Sequence, residues 1–293
     1  MTNFSAIKNV HFIGIGGTGM NGLAQLAIHN NFNVSGSDRK YNPSLSPYKE
    51  LEKLGIKIFF DDGSYEISKN TLVVFSSAIE LNNKDLIKAD KNNLKKLHRI
   101  DFLKELIPKD AEIIAITGTA GKTTTTGLLS WIFENHNLNP SVYCGAGILN
   151  WKKNGNLGNI KFGNSKLWII ESDESDKSLL KINPTHSIIT NIGNDHLSKK
   201  ELKKVFKKFG QQTKKIHQNQ IDSESKKINF NTNLIGEHNQ DNIRTAYSFC
   251  KKYGLNIKKT KKTIESFKGI ERRLELVNIK DSIYFFDDYA HNP

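Results

Sequence analysis

The sequence predicts an α/β chain in which one parallel-sheet domain is followed by a second. Three observations carry this expectation. Short apolar runs of four or five residues alternate with stretches whose apolar residues recur at helical spacing, the pattern of buried parallel strands joined by crossover helices. Two of these runs end in glycine-rich turns that open a helix, at residues 14–19 and 118–121. The length of 293 residues suits roughly two domains.

In chain order, Val10, Phe12 and Ile13 mark a first strand over residues 10–13, and Leu23, Leu26 and Ile28 mark the helix after the glycine turn. A second strand over 33–36 runs into Asp38. A helix through Leu51 and Leu54, closed by Gly55, leads to a strand at 56–59, and a further buried strand spans 72–75. After a helix over 100–106, the stretch Pro108-Lys109-Asp110 marks a boundary, giving domains of residues 1–107 and 108–293. In the second, a strand over 112–116 enters the other glycine turn, and an amphipathic helix begins near Thr123. Strands follow at 166–170 and 187–192. The polar, lysine-rich stretch 197–233 offers no strand before 228–230; a helix over 242–253 and a last strand at 282–286 complete the pattern. There is no internal repeat.

Composition narrows the function classes. The net charge is +13 and the apolar fraction 37%. The lysines lie scattered among asparagines and isoleucines. Their densest run, Lys199 to Lys215, has helical spacing around Leu202, Val205 and Phe206, which reads as a solvated helix face and not a nucleic-acid stripe. No apolar run approaches the ~20 residues of a membrane span, and the N-terminus lacks a signal-peptide layout. Two cysteines, Cys144 and Cys250, without metal-ligand spacing point to a reducing, cytoplasmic setting.

The chemistry is concentrated at the two glycine turns and at strand ends. Gly118-Thr119-Ala120-Gly121-Lys122-Thr123-Thr124 follows a strand and opens a helix. It is shorter than the common phosphate loop, with Ile116 where the first glycine of that pattern stands. Even so, its backbone N–H groups can face phosphate oxygens, Lys122 can reach the outer phosphates, and a following threonine hydroxyl can ligate magnesium. Gly14, Gly16 and Gly19, with Asp38 about 20 residues on, fit a second diphosphate cradle of the Rossmann type; a nicotinamide or flavin cofactor and a nucleotide-sugar both remain open. Glu171-Ser172-Asp173-Glu174-Ser175-Asp176 and Asp195-His196 stand at strand ends, where hard oxygens and an imidazole suit magnesium. Gly236 to Asn242 opens a helix with amide side chains able to read an adenine edge.

The order of these elements, together with Ser35-Gly36-Ser37-Asp38, Ser76-Ser77-Ala78-Ile79, Arg272-Arg273-x-Glu275 and Asp287 to Pro293, closely resembles the Mur ligase family over the whole chain, and within it the alanine-adding type. The resemblance implies an N-terminal Rossmann-like parallel sheet followed by a P-loop-type α/β central domain. It implies an ATP- and Mg2+-dependent ligase of peptidoglycan precursor synthesis, joining L-alanine to UDP-N-acetylmuramic acid through an acyl phosphate, with no nucleic-acid or membrane partner. By the same resemblance, Lys122, Glu171 and His196 are the catalytic residues, and Thr123, Glu171 and His196 hold magnesium. Gly118, Thr119, Ala120, Gly121, Lys122, Thr123, Thr124, Asn239, Asn242, Arg273 and Asp288 bind ATP. Gly16, Gly17, Ser37, Asp38 and Ser77 line the UDP site.

Three departures stand out. Ala120 occupies a position where this ligase type carries histidine. The stretch from His196 to Gly236 is short, and the chain stops where relatives begin a third domain. The expectation is therefore a fragment, or a chain whose third domain is supplied separately. Rival readings are a recycling ligase that attaches a peptide to the same sugar, a non-catalytic remnant that binds both nucleotides, and half of a split ligase. A dinucleotide oxidoreductase leaves the phosphate loop and the acidic strand ends without a role.

Overall fold

The computed structural model describes residues 7–153, 155–193 and 198–290, with the side chain of Lys199 excepted. The chain divides into two compact units. One is Met1–Lys109 together with Gly155–Ile160, and the other is Asp110–Asn154 together with Lys161–Pro293. The short return of residues 155–160 to the first unit has no signature in the sequence. Its anchor is Asn159, which is buried and donates to the Thr18 carbonyl at 3.1 Å and to Asn21 Oδ1 at 2.8 Å, while accepting from Gln25 Nε2 at 3.0 Å. Each amide satisfies the others, as buried polar groups require.

In the first unit, β1 (Asn9–Ile13), β2 (Asn33–Ser37), β3 (Lys57–Phe59), β4 (Thr71–Phe75) and β5 (Lys96–His98) form a sheet of order β3-β2-β1-β4-β5, parallel throughout. Crossovers run through α1 (Thr18–His29), α2 (Tyr48–Lys53) and α3 (Lys84–Lys91), with α4 (Arg99–Leu106) closing the unit. The order reverses at β1, so the turn after β1 opens beside the crevice where such sheets bind ligands. Val10, Phe12, Leu23, Leu26, Val73 and Phe102 are fully or almost fully buried, as strands covered on both faces demand.

The second unit holds β6 (Glu112–Thr117), α5 (Lys122–Asn135), β7 (Ser141–Tyr143), β8 (Ile160–Lys161), β9 (Leu167–Glu171), β10 (His186–Ile189), α6 (Lys199–Gln211), β11 (His217–Gln218), α7 (Glu237–Tyr253) and α8 (Ile257–Glu265). The sheet order is β11-β10-β6-β9-β7-β8. Its core gathers Ile114, Ile116, Leu128, Ile132, Phe133, Ile169, Ile243, Phe249 and Phe267. In α6, Leu202 and Phe206 pack against Ile189 while Lys200, Lys203, Lys204, Lys207 and Lys208 are exposed. A reciprocal Ser198–Glu201 capping box starts this helix.

One strand expectation is corrected and another refined. Residues 228–230 form no strand. The Gln240 side chain takes the place of a neighbouring strand there, accepting from the Phe230 N–H and donating to its carbonyl, each at 3.0 Å. The last strand is present as β13 (Ile283–Asp287), but it pairs antiparallel with β12 (Glu275–Lys280) in a hairpin of its own. Alternation cannot reveal this, because a hairpin's partner is local and its faces need not be buried. Among the described residues, no helix is long and apolar enough to cross a membrane.

One buried group sets a pH response. His11, fully buried on β1, bonds Ser35 Oγ through Nδ1 at 2.9 Å and stacks on Tyr65, while Nε2 has no hydrogen-bond partner among the described residues. Burial lowers its pKa to about 4. The unfolded chain takes up this proton near pH 6.5 and the folded chain does not, so the contribution is complete above that pH and is lost as pH falls towards 4. Between pH 7.5 and pH 5 the expected loss is about 2 kcal/mol. Urea unfolding at pH 7.5 and pH 5 measures it; His11→Gln should show a shallower pH dependence than the parent, and an equally steep one would refute this role.

Candidate functional site

The carboxyl ends of β6 and β9 build the main site. The two strands are parallel neighbours with Ile116 opposite Glu171, so the turn after one and the acid ending the other meet at one edge. The turn is held from behind by the segment after β10. Ala120 N–H donates to Asn191 Oδ1 at 2.9 Å, Thr190 Oγ1 donates to the Ala120 carbonyl at 2.6 Å, and Gly193 N–H donates to Thr119 Oγ1 at 2.9 Å. Gly121 then starts α5 with φ of 78°, a left-handed conformation suited to glycine. A Cβ there would stand 2.0 Å from Asn242 Oδ1.

Lys122 folds back over the turn. Its Nζ donates to the Gly118 carbonyl at 2.7 Å and to Glu174 Oε1 at 3.0 Å, with the Thr119 carbonyl at 3.4 Å. Thr123 Oγ1 donates to Glu171 Oε1 at 2.9 Å, and Gly145 N–H donates to Glu171 Oε2 at 2.7 Å. Burial pushes the Glu171 carboxyl above the usual range, against the pull of the Gly145 N–H, the Thr123 hydroxyl and the charges of Lys122 and Arg273. Burial raises Glu174 too, with Lys122 opposing.

These groups line a cavity of about 470 Å³, together with Asn239, Asn242, Arg273 and Asp288. Asn239 donates to the Ile235 carbonyl at 2.8 Å and accepts from Asn242 Nδ2 at 3.2 Å, so the two amides are held as a pair at the start of α7. Arg272 and Leu274, on either side of Arg273, both have positive φ. The bend is tied by Asp288, whose Oδ1 accepts from Leu274 N–H at 3.3 Å, and by Tyr289, whose N–H donates to the Arg272 carbonyl at 2.8 Å. Both guanidinium groups lie over the Tyr289 ring, at 4.7 and 5.7 Å.

The donor set suits a hard cation. Thr123 and Glu171 offer oxygens side by side, which fits magnesium. Among the described residues, no group of three or more His, Cys, Asp or Glu side chains could hold a metal; phosphate and water oxygens would have to complete the coordination. His196 lies outside the described residues.

The first unit gathers the other candidates at the carboxyl ends of three adjacent strands. Gly14 and Ile15 donate to the Ser37 carbonyl at 2.8 and 3.1 Å, and Gly17 N–H donates to the Gly14 carbonyl at 3.1 Å. Asp38 does structural duty here: Oδ2 accepts from Gly16 N–H at 2.8 Å and Oδ1 from Lys40 N–H at 2.9 Å. Tyr48 closes over the turn, its hydroxyl 2.4 Å from where a Gly16 Cβ would be, and burial with the nearby Asp38 raises its pKa. Ser77 Oγ lies 3.0 Å from His98 Nε2. Tyr48, Gly145 and the contact of Glu174 with Lys122 escaped sequence reasoning. They are ordinary residue types whose partners no local pattern names, and only Glu174, inside the acidic cluster, carried any signal.

The left-handed turn yields a direct test. Gly121→Ala is expected to destabilise the second unit by roughly 1–3 kcal/mol, through backbone strain and the collision with Asn242. Urea unfolding measures this, and an unchanged midpoint would show that the turn does not need glycine.

Comparison with known proteins agrees with the two-unit reading. Residues 9–110 match the Mur ligase family, catalytic domain, and residues 116–221 match the Mur ligase middle domain. A UDP-N-acetylmuramate–L-alanine ligase of Wigglesworthia glossinidia brevipalpis is 34% identical, over 97% of this chain and 71% of its own length. One of the same name from Dictyoglomus turgidum is 33% identical, over 98% of this chain and 71% of its own. The first match runs over 346 residues although this chain has 293, so the relative carries insertions within the matched stretch. Among solved structures, a UDP-N-acetylmuramate-alanine ligase from Thermotoga maritima has the same fold, with a TM-score of 0.84 at 24% identity, over 97% of this chain and 74% of that one. Two domain matches in tandem, and relatives above 30% identity across nearly the whole chain, make this chain a member of the Mur ligase family of ATP-dependent amide ligases.

Proposed function

We propose that this chain joins L-alanine to UDP-N-acetylmuramic acid at the expense of ATP, in the cytoplasm, as a step of peptidoglycan precursor synthesis. The observation that carries this reading is the cavity in which Lys122, the Thr123–Glu171 pair, the Asn239–Asn242 pair, Arg273 and Asp288 converge. The names of the relatives supply the substrates.

In this mechanism the lactyl carboxylate of the sugar attacks the γ-phosphorus of ATP, ADP leaves, and an acyl phosphate results. The alanine amine then attacks the acyl carbon, loses a proton, and expels inorganic phosphate from a tetrahedral intermediate. Such chemistry needs charge neutralisation and alignment more than a nucleophilic side chain. Backbone N–H groups at the start of α5, residues 122–124, face the phosphates, while those of Thr119 and Ala120 are bonded to Asn191; the positive end of α5 adds to their field. Lys122 stabilises the transferring phosphoryl group. Thr123 and Glu171 hold magnesium, which when bound neutralises phosphate charge. Asn239 and Asn242 read the adenine, Arg273 meets a phosphate and Asp288 the ribose. His196 is assigned to the second magnesium. The UDP moiety is assigned to Gly16, Gly17, Ser37, Asp38 and Ser77, with the engaged Gly16 amide making Asp38 a support of the turn.

Phosphate release by the purified chain with ATP, magnesium, UDP-N-acetylmuramic acid and L-alanine tests the reading. Release that depends on alanine is expected, and Lys122→Ala should lower it by at least about 100-fold. Intact binding of both nucleotides without alanine-dependent release would overturn autonomous catalysis. Release only when a peptide replaces alanine would point to the recycling reaction.

A further inference from the structure

The proposed ATP site carries a charge paradox. Its wall, meant for a polyanion, presents four carboxylates, Glu171, Asp173, Glu174 and Asp288, against the cations Lys122 and Arg273 and the titratable His238. Glu174 is the least explained of them. Its side chain is only 5% exposed. Oε1 pairs with Lys122 Nζ at 3.0 Å, while Oε2 is buried with no hydrogen-bond partner among the described residues. A buried carboxylate with an unsatisfied oxygen is costly to keep, and this one sits beside the lysine that an outer phosphate must reach. Lys122 meanwhile directs its three N–H groups at protein acceptors.

Building on the ATP reading above, we propose that Glu174 is a specificity-determining residue that makes the phosphate end of the site select nucleotide carrying a divalent cation over the free polyanion. Free ATP brings about four negative charges towards a wall where Glu174 already neutralises Lys122. The magnesium complex brings two fewer, and its cation gives the carboxylate wall something to attract. Glu171 differs in role, because both of its oxygens are engaged, with Thr123 and Gly145, at the place where the cation would be ligated. Glu174 acts at longer range, through charge.

Calorimetric titration of the full chain with ATP, once with magnesium chloride and once with EDTA, tests this without turnover. The parent should bind the magnesium complex at least about tenfold tighter than free ATP. Glu174→Gln should tighten free ATP by about tenfold while changing the magnesium complex by less than about threefold, as expected for removing one charge several ångströms away. AMP, which lacks the outer phosphates, should bind both proteins alike. Glu174→Asp keeps the charge and should keep the parental preference, so it also guards against a glutamine variant that fails to fold. Parallel weakening of both ATP forms in Glu174→Gln would overturn the proposal and leave Glu174 as a prop for Lys122. Loss of selectivity in Glu174→Asp, or none in the parent, would overturn it as well. Parental affinity in Lys122→Ala would instead bring down the ATP reading itself, and this proposal with it.

Discussion

The pairing of β6 with β9 is the constraint on which the second unit's site depends. Parallel neighbours end at the same sheet edge, and their register sets Ile116 opposite Glu171. A phosphate-type turn leaving one strand therefore meets an acid ending the other, without any long-range search by flexible loops. A shift of one residue along this pair would turn Glu171 to the other face of the sheet. The same logic operates in the first unit, where β2, β1 and β4 deliver Asp38, the glycine turn and Ser77 to one edge.

Around that edge the protein resolves a conflict between burial and charge. Glu171 is taken out of water, which favours its neutral form, and is drawn back towards the carboxylate by an N–H group, a hydroxyl and two cations. Lys122 escapes isolation by bonding loop carbonyls and Glu174. Lys122 and Glu171 thus have partners before any ligand arrives, so binding must exchange partners at Lys122 and cannot simply fill a hole. Groups held in this way need little reorganisation when charge develops on a substrate.

Support for the site comes from residues with no chemistry of their own. Asn191 and Thr190 brace the Ala120 backbone, so the turn does not rely on the side chain at that position. Asn159 ties the return segment to α1 immediately behind the first glycine turn. Gln240 replaces a missing strand neighbour at Phe230. Asn191, Asn159 and Gln240 each carry a side-chain amide, able to donate and accept at once, doing locally what a backbone ladder does elsewhere.

Much of this was legible in the sequence. The apolar runs, the two glycine turns and the acid and amide residues at element ends follow from local physics, since helix and strand period and turn chemistry are properties of neighbouring residues. That sufficed for the α/β class, most strands and helices, and the phosphate turn with its acidic and amide neighbours; Arg273 and Asp288 came only from the resemblance to the Mur ligases. The return of residues 155–160 and the braces on the loop were not legible, because each depends on a partner that no local pattern names; β12 and β13 are neighbours in the chain, but alternation does not say which strands pair. The sequence by itself determined which groups could meet a nucleotide. Only the tertiary structure decided that Lys122 rests on Glu174, that Asp38 holds the Gly16 amide and that Asn242 closes over Gly121, because such contacts arise when distant segments are packed to within hydrogen-bonding distance and water is excluded.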